Sequence, residues 1–303
     1  YEIPKRDWSS DVCSSDLGSA TAGIDAQELI DTRNAARDLH FHILNDRSLY
    51  GLPRKFNVSF DGGGTIATLE DTNDIGFQAV ELLDGIRAWR LTLGGITGHK
   101  DLARDTGVIV RDGETTEVAD AIIRVFIENG DRTNRNKARL KYVLDAWGFE
   151  KFLAAVEDKL GRKLERAEGS RVKPRPAINR LAHIGIRAQK QTGLNYLGVW
   201  TPLGKMTCDE MRAIADCAGK FGDGDIRLTV WQNLLISGVS DADIAGARQT
   251  IEAAGLRLEV SNARAGLVAC TGNRGCKFAA SDTKGHALQI ADHLDARLTL
   301  DQP

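Results

Sequence analysis

The chain has 303 residues, 42% of them hydrophobic and 27% charged, which is enough to bury a sizeable core distributed over two or three globular units. A formal net charge of -2 excludes a global attraction to nucleic acid or to an anionic membrane, so any anion chemistry must come from local basic clusters. No run of about 18 apolar residues is present to span a bilayer, and five cysteines, at 13, 208, 217, 270 and 276, are too few and too scattered for a secreted disulfide framework, making a reducing cytoplasm the expected setting.

In chain order, the segment from Asp7 to Leu17 (DWSSDVCSSDL) has neither helical nor strand periodicity and resembles the translation of a sequencing-adapter oligonucleotide. Residues 1–17 are therefore expected to be such an artefact or a disordered Ser/Asp-rich leader, with no part in the fold. Mixed loop and short helix follow over 18–52, then an extended run over 55–60 that ends at Asp61, Gly62, Gly63 and Gly64. Val118, Ala121, Ile122, Val125 and Phe126 recur at helical spacing, with Asn129 and Gly130 as the stop. Two more apolar stripes, Leu140/Val143/Leu144/Trp147 and Phe149/Phe152/Leu153/Val156/Leu160, predict packed helices.

Over 167–177 the periodicity disappears among Gly169, Pro174 and Pro176, which predicts a linker and the main domain boundary. Beyond it, 196–200 reads as a strand, and Thr207 with Glu210 forms a capping box for a helix carrying Met211, Ile214, Ala215 and Ala218. Strands are expected at 226–230 and 234–236, and a helix starting at Ser240 and Asp243. The order strand, helix, strand, strand, helix, strand is that of a small ferredoxin-like α+β half-domain.

Four local patterns carry possible chemistry. Cys270 and Cys276 flank Thr271, Gly272, Asn273, Arg274 and Gly275, ahead of an expected helix with Phe278, Ala287, Ile290, Ala291 and Leu294 on one face. Two thiols on a glycine-containing loop can converge on an inorganic cluster, with the helix terminus adding positive potential; small buried core cysteines are the commoner alternative. Cys208 and Cys217 lie nine positions apart on one predicted helix, on nearly opposite faces, and read as packing residues. His286 and His293, seven apart, are outside the usual zinc-finger spacing.

In the second pattern, Leu52, Pro53, Arg54, Lys55, Phe56 and Asn57, strand alternation sends Lys55 and Asn57 to one side. A cation beside an amide donor suits a small oxyanion, and a solvated strand edge is the plain alternative. The third is a basic stretch, Arg132, Arg135, Lys137, Arg139 and Lys141, which can face an acidic ligand or simply water; the balanced total charge argues against nucleic acid. The fourth runs from Arg227 through Gln232 and Asn233 to Gly238, where the two amides serve either as turn residues or as polar groups aimed at a buried ligand.

Taken in this order, the basic strand at 52–57, the helix pair at 137–160, the Arg227-x-Thr229-x-x-Gln232-Asn233 strand and the Cys270-Thr271-Gly272-x-x-x-Cys276 loop resemble assimilatory nitrite and sulfite reductases over about residues 18–303. The resemblance implies an α+β fold: a first sirohaem/4Fe-4S-type domain over 18–166, a linker over 167–177, a ferredoxin-like half-domain over 178–255 and the start of a second sirohaem/4Fe-4S domain over 256–303. It implies two cofactors, sirohaem and a 4Fe-4S cluster, with Cys270 and Cys276 as the first pair of cluster ligands and Lys55 and Asn57 facing the anion over the haem iron. Arg54, Arg227, Gln232, Asn233 and Thr271 resemble positions that meet the carboxylate-rich macrocycle or its surroundings, which agrees with the need of a buried polyanion for cationic partners.

The activity implied is reduction of nitrite to ammonia with ferredoxin as electron donor. Asn at position 57 resembles the nitrite reductases, whereas Lys there resembles the sulfite enzymes. A ferredoxin-dependent sulfite reductase is the closest alternative; a non-catalytic anion-binding protein of the same fold is the alternative from another class. The family pattern also places a second cysteine pair just beyond Pro303 and an arginine shortly before Gly18, so the chain is expected to be a fragment, inactive as written, of an active parent.

Overall fold

The computed structural model describes residues 14–50, 52, 56–97, 101–131, 133–134, 137–167 and 171–298. The chain divides into two compact units, one of residues up to Gly23 with Gln27–Pro176, the other of Ile24–Ala26 with the residues from Ala177 onward.

In the first unit, β1 (Ser14–Leu17) leads through α1 (Thr32–Asn45) to β2 (Phe56–Asp61), and β3 (Ile75–Glu81), β4 (Arg87–Leu93) and β5 (Arg104–Arg111) follow. Then come α2 (Thr115–Asn129), α3 (Leu140–Leu160) and the two-residue β6 (Glu165–Arg166). The sheet runs β1-β2-β3-β4-β5-β6; β1, β2 and β3 are mutually parallel, and the remaining pairs are antiparallel. The strand Ser14–Leu17 corrects the expectation that nothing in 1–17 joins the fold: Ser14 to Leu17 pair with Phe56 to Ser59 through the backbone, which needs no side-chain periodicity.

Alternation along the strands decides where the core lies. Phe56, Val58 and Phe60 on β2, Phe77 on β3 and Trp89 on β4 point to the face covered by α1, α2 and α3, where Phe60 stacks on Phe77 at 5.1 Å and Phe56 on Phe126 of α2 at 5.4 Å. Gly130 stops α2 by donating its N–H to the Phe126 carbonyl at 2.8 Å. The two apolar stripes expected as separate helices are the two arms of α3, which breaks at Gly148, where φ is 73° and ψ 165°; only glycine takes that conformation without strain.

The face of the sheet turned away from α1, α2 and α3 carries buried carboxylates. Asp61 is fully buried, accepts the N–H groups of Gly63 and Thr68, and meets Arg175 at 2.9 Å. Arg175 belongs to the stretch read as a linker. In fact 171–175 lies along the first unit: Val172 bridges to Leu82, Lys173 N–H donates to the Glu81 carbonyl at 2.8 Å, and the Lys173 ammonium pairs with the Glu81 carboxylate. A cavity of about 570 Å³ sits there, lined among others by Gln78, Arg90, Asp105, Lys173 and Arg175. Buried Glu70 accepts a hydrogen bond from Gln78 at 2.7 Å; burial, with Asp61 nearby, pushes its carboxyl up to about 7.

The second unit has β7 (Gly185–Ala188), β8 (Leu194–Val199), α4 (Cys208–Phe221), β9 (Ile226–Leu228), β10 (Leu234–Ser240), α5 (Ile244–Ala253), the short α6 (Asn262–Ala265) and α7 (Thr283–Asp295). Its antiparallel sheet is ordered β7-β8-β10-β9. The order of elements therefore differs from expectation: a strand precedes β8, and among the described residues only an isolated bridge, Trp200 to Arg257, follows α5. Glycine at 185 hid the extra strand from a propensity reading.

The capping box of α4 forms as predicted, with Thr207 accepting from the Glu210 N–H at 3.2 Å and Glu210 reaching back to the Thr207 N–H at 2.6 Å. The buried stripe of α4 is Ile214, Cys217 and Ala218; Met211 is 55% exposed and Ala215 is exposed, so the stripe is rotated from the one read in the sequence. Helix α5 starts at Ile244, one turn later than expected, after Ser240 has hydrogen-bonded Asp243 at 2.6 Å. Phe278 lies before α7 and is 79% exposed, and on α7 only Ala291 is buried. Among the described residues no helix is long and apolar enough to cross a membrane.

Two predictions follow from the buried charges of the first unit. Removing one partner of a buried pair leaves the other charge without solvent, so Arg139→Ala, which strips Asp74 (1% side-chain exposure) of its guanidinium, is expected to cost about 3–5 kcal/mol in urea unfolding. A loss below about 1 kcal/mol would mean that the pair behaves like a surface contact. Glu70 gives the opposite dependence to a salt-bridged carboxylate: its folded pKa lies above its unfolded value of 4.5, so its contribution is fully present below that value and is lost as pH rises through about 7. Glu70→Gln is expected to stabilise the unit by about 1–3 kcal/mol at pH 8 and hardly at pH 4; equal effects at both pH values in thermal unfolding would contradict this.

Candidate functional site

Two places in the fold gather the residues singled out by sequence. In the first unit it is the start of β2. Arg54 and Lys55 precede Phe56 and lie outside the described residues, so the structure places only Asn57 of that group. Asn57 is half-buried, and alternation with buried Phe56 and Val58 directs it to the face turned away from α1, α2 and α3. Its backbone N–H donates to Asp74 Oδ2 at 2.9 Å.

Asp74 is in turn held by Arg139, whose Nε and Nη2 donate to its two oxygens at 3.0 and 2.8 Å, while Nη2 also reaches the Gly95 carbonyl at 3.4 Å. Burial pushes the Asp74 carboxyl above the usual carboxylate range, and the guanidinium opposes that shift. The fork anchors the strand that carries Asn57. Neither Asp74 nor the partnership of Arg139 was found by sequence reading, because the two are 65 positions apart and Arg139 looked like one more member of a basic run. Lys141 of that run pairs with Asp101 at 3.0 Å and also with Asp145; Arg132 and Arg135 lie outside the described residues. Arg139 and Lys141 are thus internal partners of carboxylates rather than a face open to an acidic ligand.

In the second unit, β9 carries Arg227, whose side chain is 14% exposed and stands 3.6 Å from Asp225. The turn joining β9 to β10 contains Gln232 and Asn233. Buried Asn233 accepts the Thr201 N–H at 3.0 Å and donates to the Trp231 carbonyl at 3.1 Å, so its amide supports the turn and the segment beside it. Gln232 donates to the Ala269 carbonyl at 2.8 Å and accepts from the Ala269 N–H at 3.3 Å. The turn and the cysteine loop are therefore in direct contact. Next to them, Trp231 stacks on buried His183 at 5.6 Å, and its Nε1, like Arg187 Nε, is buried with no hydrogen-bond partner among the described residues.

The cysteine loop is built on glycine. Exposed Thr271 precedes a tight turn over Gly272–Arg274, and Cys276 N–H donates back to the Gly272 carbonyl at 2.9 Å. Gly272 has φ of +67°, and a Cβ there would lie 2.6 Å from Thr283 Oγ1 and 2.9 Å from its backbone nitrogen, so another side chain cannot enter without moving the start of α7. Cys270 is exposed and Cys276 half-buried. The Cys270 sulfur is 3.5 Å from Thr283 Oγ1; the Thr283 hydroxyl first, then the Gly272 N–H and Lys284, hold the thiol below its ordinary pKa, which favours the ligating thiolate.

The other thiols are arranged differently. Cys208 is exposed in the first turn of α4, whereas Cys217 is in the core with its sulfur 3.7 Å from the Ala247 carbonyl and its pKa raised by burial. From Ser14 to Thr207 the sequence has no cysteine, so the described first unit contributes no thiolate. A cubane cluster takes four thiolates. Among the described residues no group of three or more His, Cys, Asp or Glu side chains is placed to hold a metal; the two thiols of the loop are half the number a cubane needs, and a whole cluster does not fit these residues alone.

Comparison with known proteins places this geometry. The family model described as "Nitrite and sulphite reductase 4Fe-4S domain" matches residues 9–164, and "Nitrite/Sulfite reductase ferredoxin-like half domain" matches residues 187–254. The ferredoxin-nitrite reductase of Synechococcus elongatus is 32% identical over 94% of this chain and 56% of its own length. The "Sulfite reductase [ferredoxin] 2" of Mycolicibacterium paratuberculosis is 31% identical over 93% of this chain and 50% of its own. The solved structure of the Mycobacterium tuberculosis NirA protein superposes with a TM-score of 0.86 at 30% identity, covering 97% of this chain and 54% of that one. The chain spans about half the length of the curated relatives it matches. With both family domains present in sequence order on an α+β framework, the chain belongs to the nitrite and sulphite reductase family.

Proposed function

We propose that the protein to which this chain belongs reduces nitrite to ammonia with electrons from ferredoxin, using sirohaem and a 4Fe-4S cluster. The observation that carries this reading is the Cys270–Cys276 loop, which sets two thiols around a glycine turn ahead of α7 in a chain of this family. Cys270 and Cys276 would be two of the cluster's thiolates, the remaining pair coming from outside the described residues. When bound, the two groups would supply the redox chemistry that such a reduction needs.

This chain's own residues would then bind and orient. Lys55 and Asn57 are proposed to face the bound anion, Lys55 neutralising charge and releasing protons and Asn57 donating from its amide. Arg54, Arg227, Gln232, Asn233 and Thr271 are proposed to stand at or around the macrocycle, with Arg54 and Arg227 meeting its carboxylates. Arg187 Nε and Trp231 Nε1, buried and without a hydrogen-bond partner among the described residues, are further donors in the second unit that such a polyanion would satisfy. The setting proposed is the cytoplasm.

A second reading is reduction of sulfite to sulfide, favoured by the sulfite reductases among the similar proteins. Asn57 separates the two: in the full-length protein Asn57→Lys is expected to shift the ratio of nitrite to sulfite kcat/KM by about tenfold towards sulfite, equivalent to about 1.4 kcal/mol, and an unchanged ratio would remove Asn57 from the choice of substrate. The family-level reading is tested by purifying the full-length protein from a sirohaem-making host. The expected product is coloured, with sirohaem absorption and iron; a colourless, iron-free protein would favour a non-catalytic anion-binding role.

A further inference from the structure

We propose that Gln232 is the positioning residue of the cysteine loop, a single side-chain amide that fixes where Cys270 stands by occupying both backbone groups of Ala269; its significance for cluster binding rests on the reading of Cys270 as a ligand. Three observations support this. Gln232 Nε2 donates to the Ala269 carbonyl at 2.8 Å and Oε1 accepts from the Ala269 N–H at 3.3 Å, so the residue immediately before Cys270 is held at both of its polar atoms. A two-point amide contact of this kind resists sliding of the chain as well as its departure.

Gln232 also adopts the left-handed conformation, with φ of +59°, as one of three non-glycine residues of positive φ among those described. The turn alone would be better served by glycine or asparagine. A long amide at a position that disfavours any Cβ indicates that its reach matters more than its backbone preference.

The base of the clamp is itself fixed. Thr201 Oγ1 donates to the Gln232 carbonyl at 2.6 Å, the Gln232 N–H reaches the Thr229 carbonyl at 3.3 Å, and Asn233 ties the next residue to Thr201. On the far side of the loop, Lys284 donates to the Leu203 carbonyl and Thr283 Oγ1 to the Cys270 carbonyl at 2.7 Å. Residues 269 and 270 are thus gripped from both sides, by the β9–β10 turn through Gln232 and by the start of α7 through Thr283. The amide that the family resemblance sets at or around the macrocycle is hydrogen-bonded in this structure to the chain that carries Cys270.

Gln232→Gly separates positioning from a role in the turn, because glycine suits φ of +59° better than glutamine and lacks the side chain that reaches Ala269. In the 303-residue chain, hydrogen exchange of peptides covering 267–276 is expected to quicken by about tenfold, while peptides from β8 and β10 and the thermal midpoint of the second unit stay as in the parent. Exchange over 267–276 within about twofold of the parent would overturn the proposal. Faster exchange throughout the unit with a lowered midpoint would make Gln232 an ordinary structural residue of the turn, and would overturn it equally. In the full-length protein the same substitution is expected to lower iron per chain at unchanged yield. If the unsubstituted full-length protein holds no iron, the reductase reading fails while the exchange result still decides whether the clamp exists.

Discussion

A carboxylate removed from water needs a replacement for its hydration shell, and the first unit is organised by two such replacements. Asp74 with Arg139 and Asp61 with Arg175 are each joined by forked contacts, one beside the start of β2 and one at its end. The aromatic core on the opposite face would accept many hydrophobic substitutions of similar volume, since it discriminates by shape. The ion pairs discriminate by identity and position: a charge displaced by one residue along a strand lies on the other face. Strand β2, which carries Asn57, is thereby located at both ends by guanidiniums that come from far along the chain.

The second unit solves a different problem, that of presenting a soft nucleophile without letting it wander. Its hydrophobic core, centred on Leu197, Val199, Leu234, Ile236, Ile214 and Cys217, stops short of the cysteine loop, where Gly272 is the only buried member between Cys270 and Gly275. Position there comes from hydrogen bonds: Gln232 to Ala269, Thr283 to Cys270 and the Gly272 carbonyl to Cys276. These are directional and need no buried area, which suits a loop whose outer side is exposed.

Much of this was legible in the sequence, and the parts that were not share a cause. The α4 capping box, the stop at Gly130 and the two arms of α3 could be read because their determinants lie within a few residues of one another. The α+β class and the order of family domains followed from motifs in sequence. The first strand was missed because parallel pairing of Ser14–Leu17 with β2 is a backbone event across an intervening helix, and the stretch around Arg175 was read as a linker because its partners on the sheet are about a hundred positions away. Polar residues were hardest: Arg139, Asn233 and Gln232 each look like ligand-binding groups when only their neighbours in sequence are known.

That last group shows how motif residues should be interpreted in a fold of this kind. A recurring amide or guanidinium in a loop next to a binding motif can serve the ligand directly or serve the backbone that holds the ligand's true partners, and both uses keep it at the same place in the sequence. Geometry separates them. Asn233 has both ends of its amide engaged by Thr201 and Trp231, and Gln232 both ends by Ala269, whereas Trp231, the residue before them, has a buried indole N–H with no partner among the described residues. Of these three side chains, the donor that still lacks an acceptor among the described residues is therefore the indole that precedes the two amides rather than the amides themselves, and a buried group left without an acceptor is the better guide to where a polar ligand meets the protein.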